Sequence, residues 1–302
     1  MRCVVARKSA GPCSVVNFDA KDSAVLRTMK ISAIVLLMLT LNAQAVVIGN
    51  DDRYTPAAKQ TPELYRGVGF LNCVSPTDKE DATGSLVVNS RMIVTVAHLF
   101  FNNDGSRKFS PNDCTFNVSS NQGEVLATVS VDAVWPYSKH VGSHSTQHKD
   151  ALIARLVAPV RGVHLMSLQS IVPSVGQKAR LCSYSDDLVD NNKIKRCLEG
   201  VIRNVGTDSK IVANARVVLH DIDSYHGSSG GPLIRLAGNE DEIFGIQVSM
   251  FPGTKYDRPI RDRVYGEYDV NKRFNVALYF TDDFINFAAD IYQREILTTE
   301  PH

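Results

Sequence analysis

A chain of 302 residues, 44% apolar and 22% charged, has a globular composition and enough length for one large core or two modest ones. The formal net charge of +1 and the absence of a long basic run argue against a nucleic-acid-binding surface. No metal-type pairing such as C-x-x-C occurs.

In chain order, residues 29–45, MKISAIVLLMLTLNAQA, carry the parts of a secretory signal. Arg27 and Lys30 supply positive charge, Ile31 to Leu41 a short apolar core, and Ala43-Gln44-Ala45 a small-residue cleavage site. The core is too short to be a good membrane span, which favours a cleaved signal over an uncleaved anchor. Met1 to Thr28 are mixed in charge and aperiodic, and we read Met29 as the true start. Cleavage after Ala45 predicts a secreted or periplasmic chain with no stable membrane span. Its four cysteines would be Cys73, Cys114, Cys182 and Cys197. An oxidising compartment favours disulfides. Four cysteines allow three connectivities; the two local pairs, Cys73–Cys114 and Cys182–Cys197, are expected over free buried thiols.

Beyond residue 60 the chain reads as short β-type runs between polar turns: RGVGFLN, SLVVNS, RMIVTVA and EVLATVSVDAVW, then KARLCSY, LEGVIRN, KIVANARVVLH, EIFGIQVSM and FNVALYF. That spacing predicts an all-β sandwich or barrel. Residues 158–176 hold two prolines and read as a connection between two halves; RLAGNEDEIF reads as a hairpin turn, and 252–273 as a long charged loop. Near the end, Thr281-Asp282-Asp283 can cap a helix whose apolar face is Phe284, Phe287, Ala288 and Ile291.

The stretch DSYHGSSGGPLI, 223–234, raises the question of chemistry. A serine hydroxyl is a weak nucleophile that needs an oriented base and N–H donors for the developing oxyanion. Gly227 permits a turn that brings its own amide and that of Ser229 to one point, and Gly230 and Gly231 leave space around the nucleophile, which favours Ser229 over a merely flexible turn. Gly227, Ser229 and Gly231 also satisfy G-x-S-x-G, but in that elbow the histidine follows the serine, and here only His302 does. The base must come from upstream. His98 ends the apolar run RMIVTVAH, and Asp150 opens the run ALIARL. Each alone reads as an ordinary structural residue; the ordered set is much more specific.

These segments resemble trypsin-like serine proteases. TVAHLF is similar to the family's T-A-A-H segment, DALIARL to D-I-A-L-L-R-L, and GSSGGPLI to G-D-S-G-G-P, in the family's order and over most of residues 46–295. VVIGNDDR, DIDSYHGSSGGP and FNVAL resemble the bacterial branch that includes glutamyl endopeptidases. The resemblance implies an all-β chain of two six-stranded antiparallel β-barrels with a C-terminal α-helix. The first barrel would occupy 46–165, and the second, with the helix, 166–302. It implies an endopeptidase acting on protein or peptide substrates without a cofactor or metal. His98 would be the general base, Asp150 its orienting partner and Ser229 the nucleophile, with Gly227 and Ser229 as the oxyanion hole. Nothing in the sequence sets an oligomeric state.

Other candidates compete. His226 would sit on the rim of the substrate pocket. His140, His144 and His148 are spaced like helical metal ligands but fall in a polar stretch with Gly142, a poor helix, and read as a solvated loop. Asp132 could replace Asp150 but lacks the family pattern around it. Asn117-Val118-Ser119 is a glycosylation sequon, without meaning in a bacterial host.

The chain also departs from the family. Ser228 stands where trypsin has the aspartate that pairs with the freed N-terminus, so activation by that ion pair is not expected. Leu99 replaces the cysteine that usually follows the histidine. For the specificity pocket the resemblance nominates Asp223, Ser224, His226, Gln247, Met250 and Asn275. Asp223 stands where trypsin binds cationic side chains, but it reads equally as a hydrogen-bonded loop residue. Gln247 replaces the pocket histidine of glutamyl endopeptidases, while Met250 and Asn275 replace glycines and would partly fill the pocket. The competing functions are a catalytically silent, protease-like binding module and an esterase using the same residues.

Overall fold

The computed structural model describes residues 47–48, 52–54, 63–138, 149–185, 194–206, 216–236, 242–251, 268 and 274–299. The predicted signal at 29–45, the histidines His140, His144 and His148, the tip of the RLAGNEDEIF turn and most of the charged loop 252–273 lie outside them.

Six strands make the first barrel: Val68–Val74 (β1), Lys79–Leu86 (β2), Met92–Thr95 (β3), Cys114–Ser119 (β4), Val125–Pro136 (β5) and Leu152–Leu156 (β6). They close in the order β1-β2-β3-β6-β5-β4, every pair antiparallel. Strand β4 is one the apolar runs do not announce. Its buried Phe116 and Val118 alternate with half-buried Thr115 and Asn117, a period-2 pattern too short to stand out by eye. Strand β2 opens on Lys79, Glu80 and Asp81, outside the runs the sequence announces, yet it pairs with β1 from Val74↔Lys79 through Val68↔Ser85. Backbone register, not apolar content, makes it a strand.

The second barrel uses Lys178–Ser183 (β8), Arg196–Val205 (β9), Val217–His220 (β10), Pro232–Arg235 (β11), Glu242–Phe251 (β12) and Phe274–Tyr279 (β13). Their order is β8-β9-β10-β13-β12-β11, and β11 pairs back onto β8. The connection between the barrels contains one further short strand, Ser167–Leu168 (β7), which runs parallel to the start of β12. The all-β reading and the two six-stranded barrels are therefore borne out.

A helix, Asp282–Thr299 (α1), follows β13. Phe284, Ala288 and Ile291 are buried, as the helical face predicts. The Phe280 and Phe284 rings stack at 4.5 Å, and Tyr137, just beyond β5, meets Phe284 and Phe287 edge-on, each at 5.4 Å. On β6, Arg155 binds both Asp132 of β5 and Glu295 of α1. The helix thus leaves the second barrel and straps the first. Thr281 starts it through its carbonyl, which accepts the Phe284 and Ile285 N–H groups at 2.9 and 3.0 Å. Its hydroxyl makes no hydrogen bond among the described residues, so the expected side-chain cap is not formed.

Both local disulfides are present, and each joins residues directly opposite on neighbouring antiparallel strands: Cys73 with Cys114, and Cys182 with Cys197. The second closes a loop of sequence separation 15, for which chain entropy suggests roughly 3 kcal/mol. Replacing Cys182 and Cys197 together by alanine should lower unfolding stability by about that amount. The denaturant midpoint, with the parent chain under reducing conditions as control, measures it.

Candidate active site

His98 lies in the 3-10 turn Ala97–Leu99 that ends β3, and Asp150 directly precedes the residues that enter β6. Because β3 and β6 are paired neighbours, the two side chains arrive from one edge of the first barrel. Asp150 Oδ2 lies 2.6 Å from His98 Nδ1. Asp150 Oδ1 accepts the backbone N–H groups of Ala97 and His98, each at 2.9 Å. One carboxylate therefore fixes both the ring and the backbone that carries it. The aspartate side chain is 2% exposed and the histidine 19%, so the pair is shielded on one side and open on the other.

Hydrogen bonding to a carboxylate puts the neutral ring's proton on Nδ1 and leaves the lone pair on Nε2. Nε2 makes no hydrogen bond among the described residues. Burial is the largest single influence on the imidazole and pushes its pKa down. The charge and hydrogen bond of Asp150, with Glu80 further off, outweigh it, and the net shift is upward. Asp132, the alternative partner, gives its carboxylate to Arg155 at 2.8 Å.

Ser229 reaches this edge through a clasp between the barrels. Strands β2 and β3 pair only at Ser85↔Val94 and Leu86↔Ile93. Two residues before Ser85, Thr83 lies beyond that backbone pairing and turns its N–H and hydroxyl to the second barrel. Its N–H donates to Ser229 O at 2.7 Å, its hydroxyl donates to Gly227 O at 2.7 Å, and that hydroxyl accepts the Tyr184 N–H at 3.1 Å. Thr95, three residues before His98, closes the gap by donating its hydroxyl to Thr83 O at 2.7 Å. Gly230 packs directly on this clasp. A Cβ there would fall 2.1 Å from Thr83 O and 2.4 Å from Thr95 Oγ1, and the backbone is at φ +83°, so glycine is required.

Gly227, at φ 83°, turns the chain before the two serines. The amide N–H groups of Gly227 and Ser229 donate no hydrogen bond among the described residues, which leaves both donors for an incoming group. Ser228 is fully buried and faces inward. Its hydroxyl meets Ser183 and Ser185 Oγ at 3.1 and 3.2 Å and accepts the Tyr225 N–H at 3.2 Å. Ser229 is 9% exposed, and its hydroxyl shares no hydrogen bond with the His98 ring among the described residues. His226 sits beside His98: burial first, and then the charge of His98, push its pKa down.

The pocket candidates divide. Ser224, Gln247 and Asn275 are buried in one polar network. Gln247 donates to Ser249 O at 2.8 Å and to Ser224 Oγ at 3.3 Å, and Asn275 donates to Ile222 O at 2.8 Å. Met250 pairs with Asn275 across β12 and β13. Asp223 turns the other way, to the N-terminal segment: its two oxygens accept the N–H groups of Ile48 and Asp52 at 2.7 and 3.0 Å. Sequence reasoning missed His220, the hub of the network. Its Nδ1 accepts the Ile222 N–H at 3.3 Å, so Nε2 carries the proton and donates to Gln247 Oε1 at 2.7 Å. The only signal for it was a histidine closing an apolar strand, VVLH, which is an unremarkable pattern.

Comparison with known proteins gives the fold a context. No family model matches the chain, and no curated protein matches it. Among solved structures, the chain is similar to a Glu endopeptidase in complex with MPD at 14% identity and TM-score 0.54, covering 83% of this chain and 96% of that one. It is similar to a scabies mite inactivated protease paralogue at 14% identity and TM-score 0.56, covering 78% and 97%. A third likeness is to the protease Anisep from Arthrobacter nicotinovorans at 14% identity and TM-score 0.52, covering 73% and 93%. The chain therefore has the two-barrel fold of chymotrypsin-like serine proteases. One of these three neighbours is named as inactivated, so the fold by itself does not decide activity.

Burial holds the His220 pKa down at about 4, against an ordinary value near 6.5. The unfolded chain binds the proton first as pH falls. The neutral ring's contribution is thus present above the unfolded value and is lost as pH drops towards 4, at a cost of roughly 3 kcal/mol. Urea midpoints measured across this window should fall more steeply for the parent than for His220→Gln.

Proposed function

We propose that this chain is an exported serine endopeptidase that cleaves peptide bonds through an acyl-enzyme on Ser229. The observation that carries the reading is the Asp150–His98 pair, 2.6 Å apart, on the barrel edge to which Thr83 clasps the Ser229 loop. His98 Nε2 takes the hydroxyl proton as Ser229 attacks the scissile carbonyl, and later returns it to the leaving amine. Asp150 keeps Nδ1 protonated and stabilises the imidazolium. The Gly227 and Ser229 amides receive the oxyanion. Water then hydrolyses the ester by the same route in reverse. Export rests on the 29–45 segment and accords with the two disulfides.

A second reading, a silent binding module, is favoured by one observation: the Ser229 hydroxyl is not hydrogen-bonded to His98 in the free chain. In free enzymes that bond is often long and tightens only with substrate, so the proteolytic reading stands ahead.

A fluorophosphonate probe separates the two. The folded parent chain should be labelled on Ser229, and His98→Ala should abolish the labelling. A folded parent that resists the probe would favour the binding module. The raised His98 pKa sets a further expectation. Only the neutral ring accepts a proton, so kcat/KM should rise with pH through a midpoint above the ordinary histidine value. Asp150→Asn should move that midpoint down and slow turnover by about 10⁴-fold.

A further inference from the structure

We propose that Asp223 is a positioning residue: it clamps Ile48 and Asp52, just beyond the predicted signal sequence, onto the loop that carries Ser229, rather than reading the substrate side chain. The proposal rests on the endopeptidase reading above and deepens it.

The geometry has three links. The first is the carboxylate itself, which is 6% exposed and receives the amides of Ile48 and Asp52, one on each oxygen. The second lies two residues on. The Arg53 guanidinium, on a residue only 2% exposed, sits over the Tyr225 ring at 5.4 Å. Ile48, Asp52 and Arg53 therefore grip the loop at Asp223 and at Tyr225. The third link reaches the serines. The backbone of Tyr225 accepts the Ser228 N–H at 2.9 Å and donates to Ser228 Oγ at 3.2 Å. Ser228 is bonded to Ser229 and to Gly227, whose amides are the proposed oxyanion donors.

Physical necessity gives the clamp its direction. A buried carboxylate that loses its donors is costly and must either find water or pull its loop apart. With the segment docked, 223–228 stays closed. With it undocked, the cheapest escape is for the loop to open and hydrate Asp223, which would carry the Gly227 and Ser229 amides out of line. A carboxylate engaged in this way is also poorly placed to receive a cationic substrate side chain. In trypsin-like relatives that order this region with an N-terminal ion pair, the partner is an aspartate where this chain has Ser228. Here Ser228 is tied to Ser183 and Ser185, and backbone amides on Asp223 take over the work.

The test uses the full chain with Asp223→Ala and Asp223→Asn, read by amide hydrogen exchange at Ile48 and Asp52 and by cleavage of a peptide library. Both variants should exchange faster at those amides. Asp223→Ala should lose kcat by about tenfold or more, the equivalent of one charge-assisted hydrogen bond, with KM and residue preference unchanged. Asp223→Asn keeps one acceptor and should fall between, and it carries the test alone if the alanine variant does not fold. Unchanged exchange, or faster exchange with unchanged kcat, would overturn the proposal. So would a new residue preference with raised KM, which would make Asp223 a pocket group. If the unmodified chain neither cleaves nor labels, the endopeptidase reading fails, and exchange at Ile48 and Asp52 alone judges the clamp.

Discussion

The contact on which the rest of this structure depends is the clasp made by Thr83. A strand residue normally spends its N–H and C=O on its neighbours in the sheet. Thr83 sits where β2 and β3 have parted, so its N–H and hydroxyl are free to bind the backbone of Ser229 and Gly227, while Thr95 satisfies its carbonyl. The second barrel's serine loop is thereby added to the open edge of the first barrel. Backbone groups left buried without partners would be expensive, so the two barrels are held in one relation by hydrogen bonds that neither can make alone. The helix strap and the contacts of Lys195 with Tyr65 O and Val68 O, at 2.6 and 3.3 Å, hold the same pair of barrels together elsewhere.

Asp150 solves a different problem on the same edge. Burying an imidazole disfavours its charged form, whereas proton transfer needs that form to be reachable. Three hydrogen bonds converge on the Asp150 carboxylate, two from backbone and one from the ring, which satisfies a nearly inaccessible charge and orients the histidine at once. The network around His220 does the opposite. It keeps a histidine neutral and uses it as a fixed donor to Gln247. Two histidines of this fold are thus driven apart in character by what surrounds them: a carboxylate in one case, and an amide with no nearby compensating charge strong enough to offset burial in the other.

The serine loop shows how a short glycine-rich segment becomes rigid. Gly227 and Gly230 supply the backbone turns, but the turns are held by partners from far away: Thr83 and Thr95 from the first barrel, Ser183 and Ser185 from β8 and its exit, and Ile48 and Asp52 from the N-terminal segment. Flexibility in the sequence is therefore not flexibility in the fold. The fold's other occupants, which include a chain named as inactivated, are a reminder that such a loop can be supported whether or not chemistry follows.

Much of this was legible in the sequence, because some signals are local. Period-2 runs and turn residues announced an all-β chain, the apolar face of 284–291 announced the helix, and the order of the His98, Asp150 and Ser229 segments nominated a site. Strand β4 and the first part of β2 were illegible for a plain reason: their pairing is dictated by neighbours, and Lys79-Glu80-Asp81 or Thr115 and Asn117 carry no apolar signature of it. Only the tertiary structure decided what Thr83, His220 and Asp223 do. A threonine in a strand, a histidine at a strand end and an aspartate in a loop look alike wherever they occur. Their roles follow from which donor or acceptor lies opposite across 27 to 175 residues of chain, from His220 and Gln247 to Asp223 and Ile48, and that is set by the packing of strands within whole barrels.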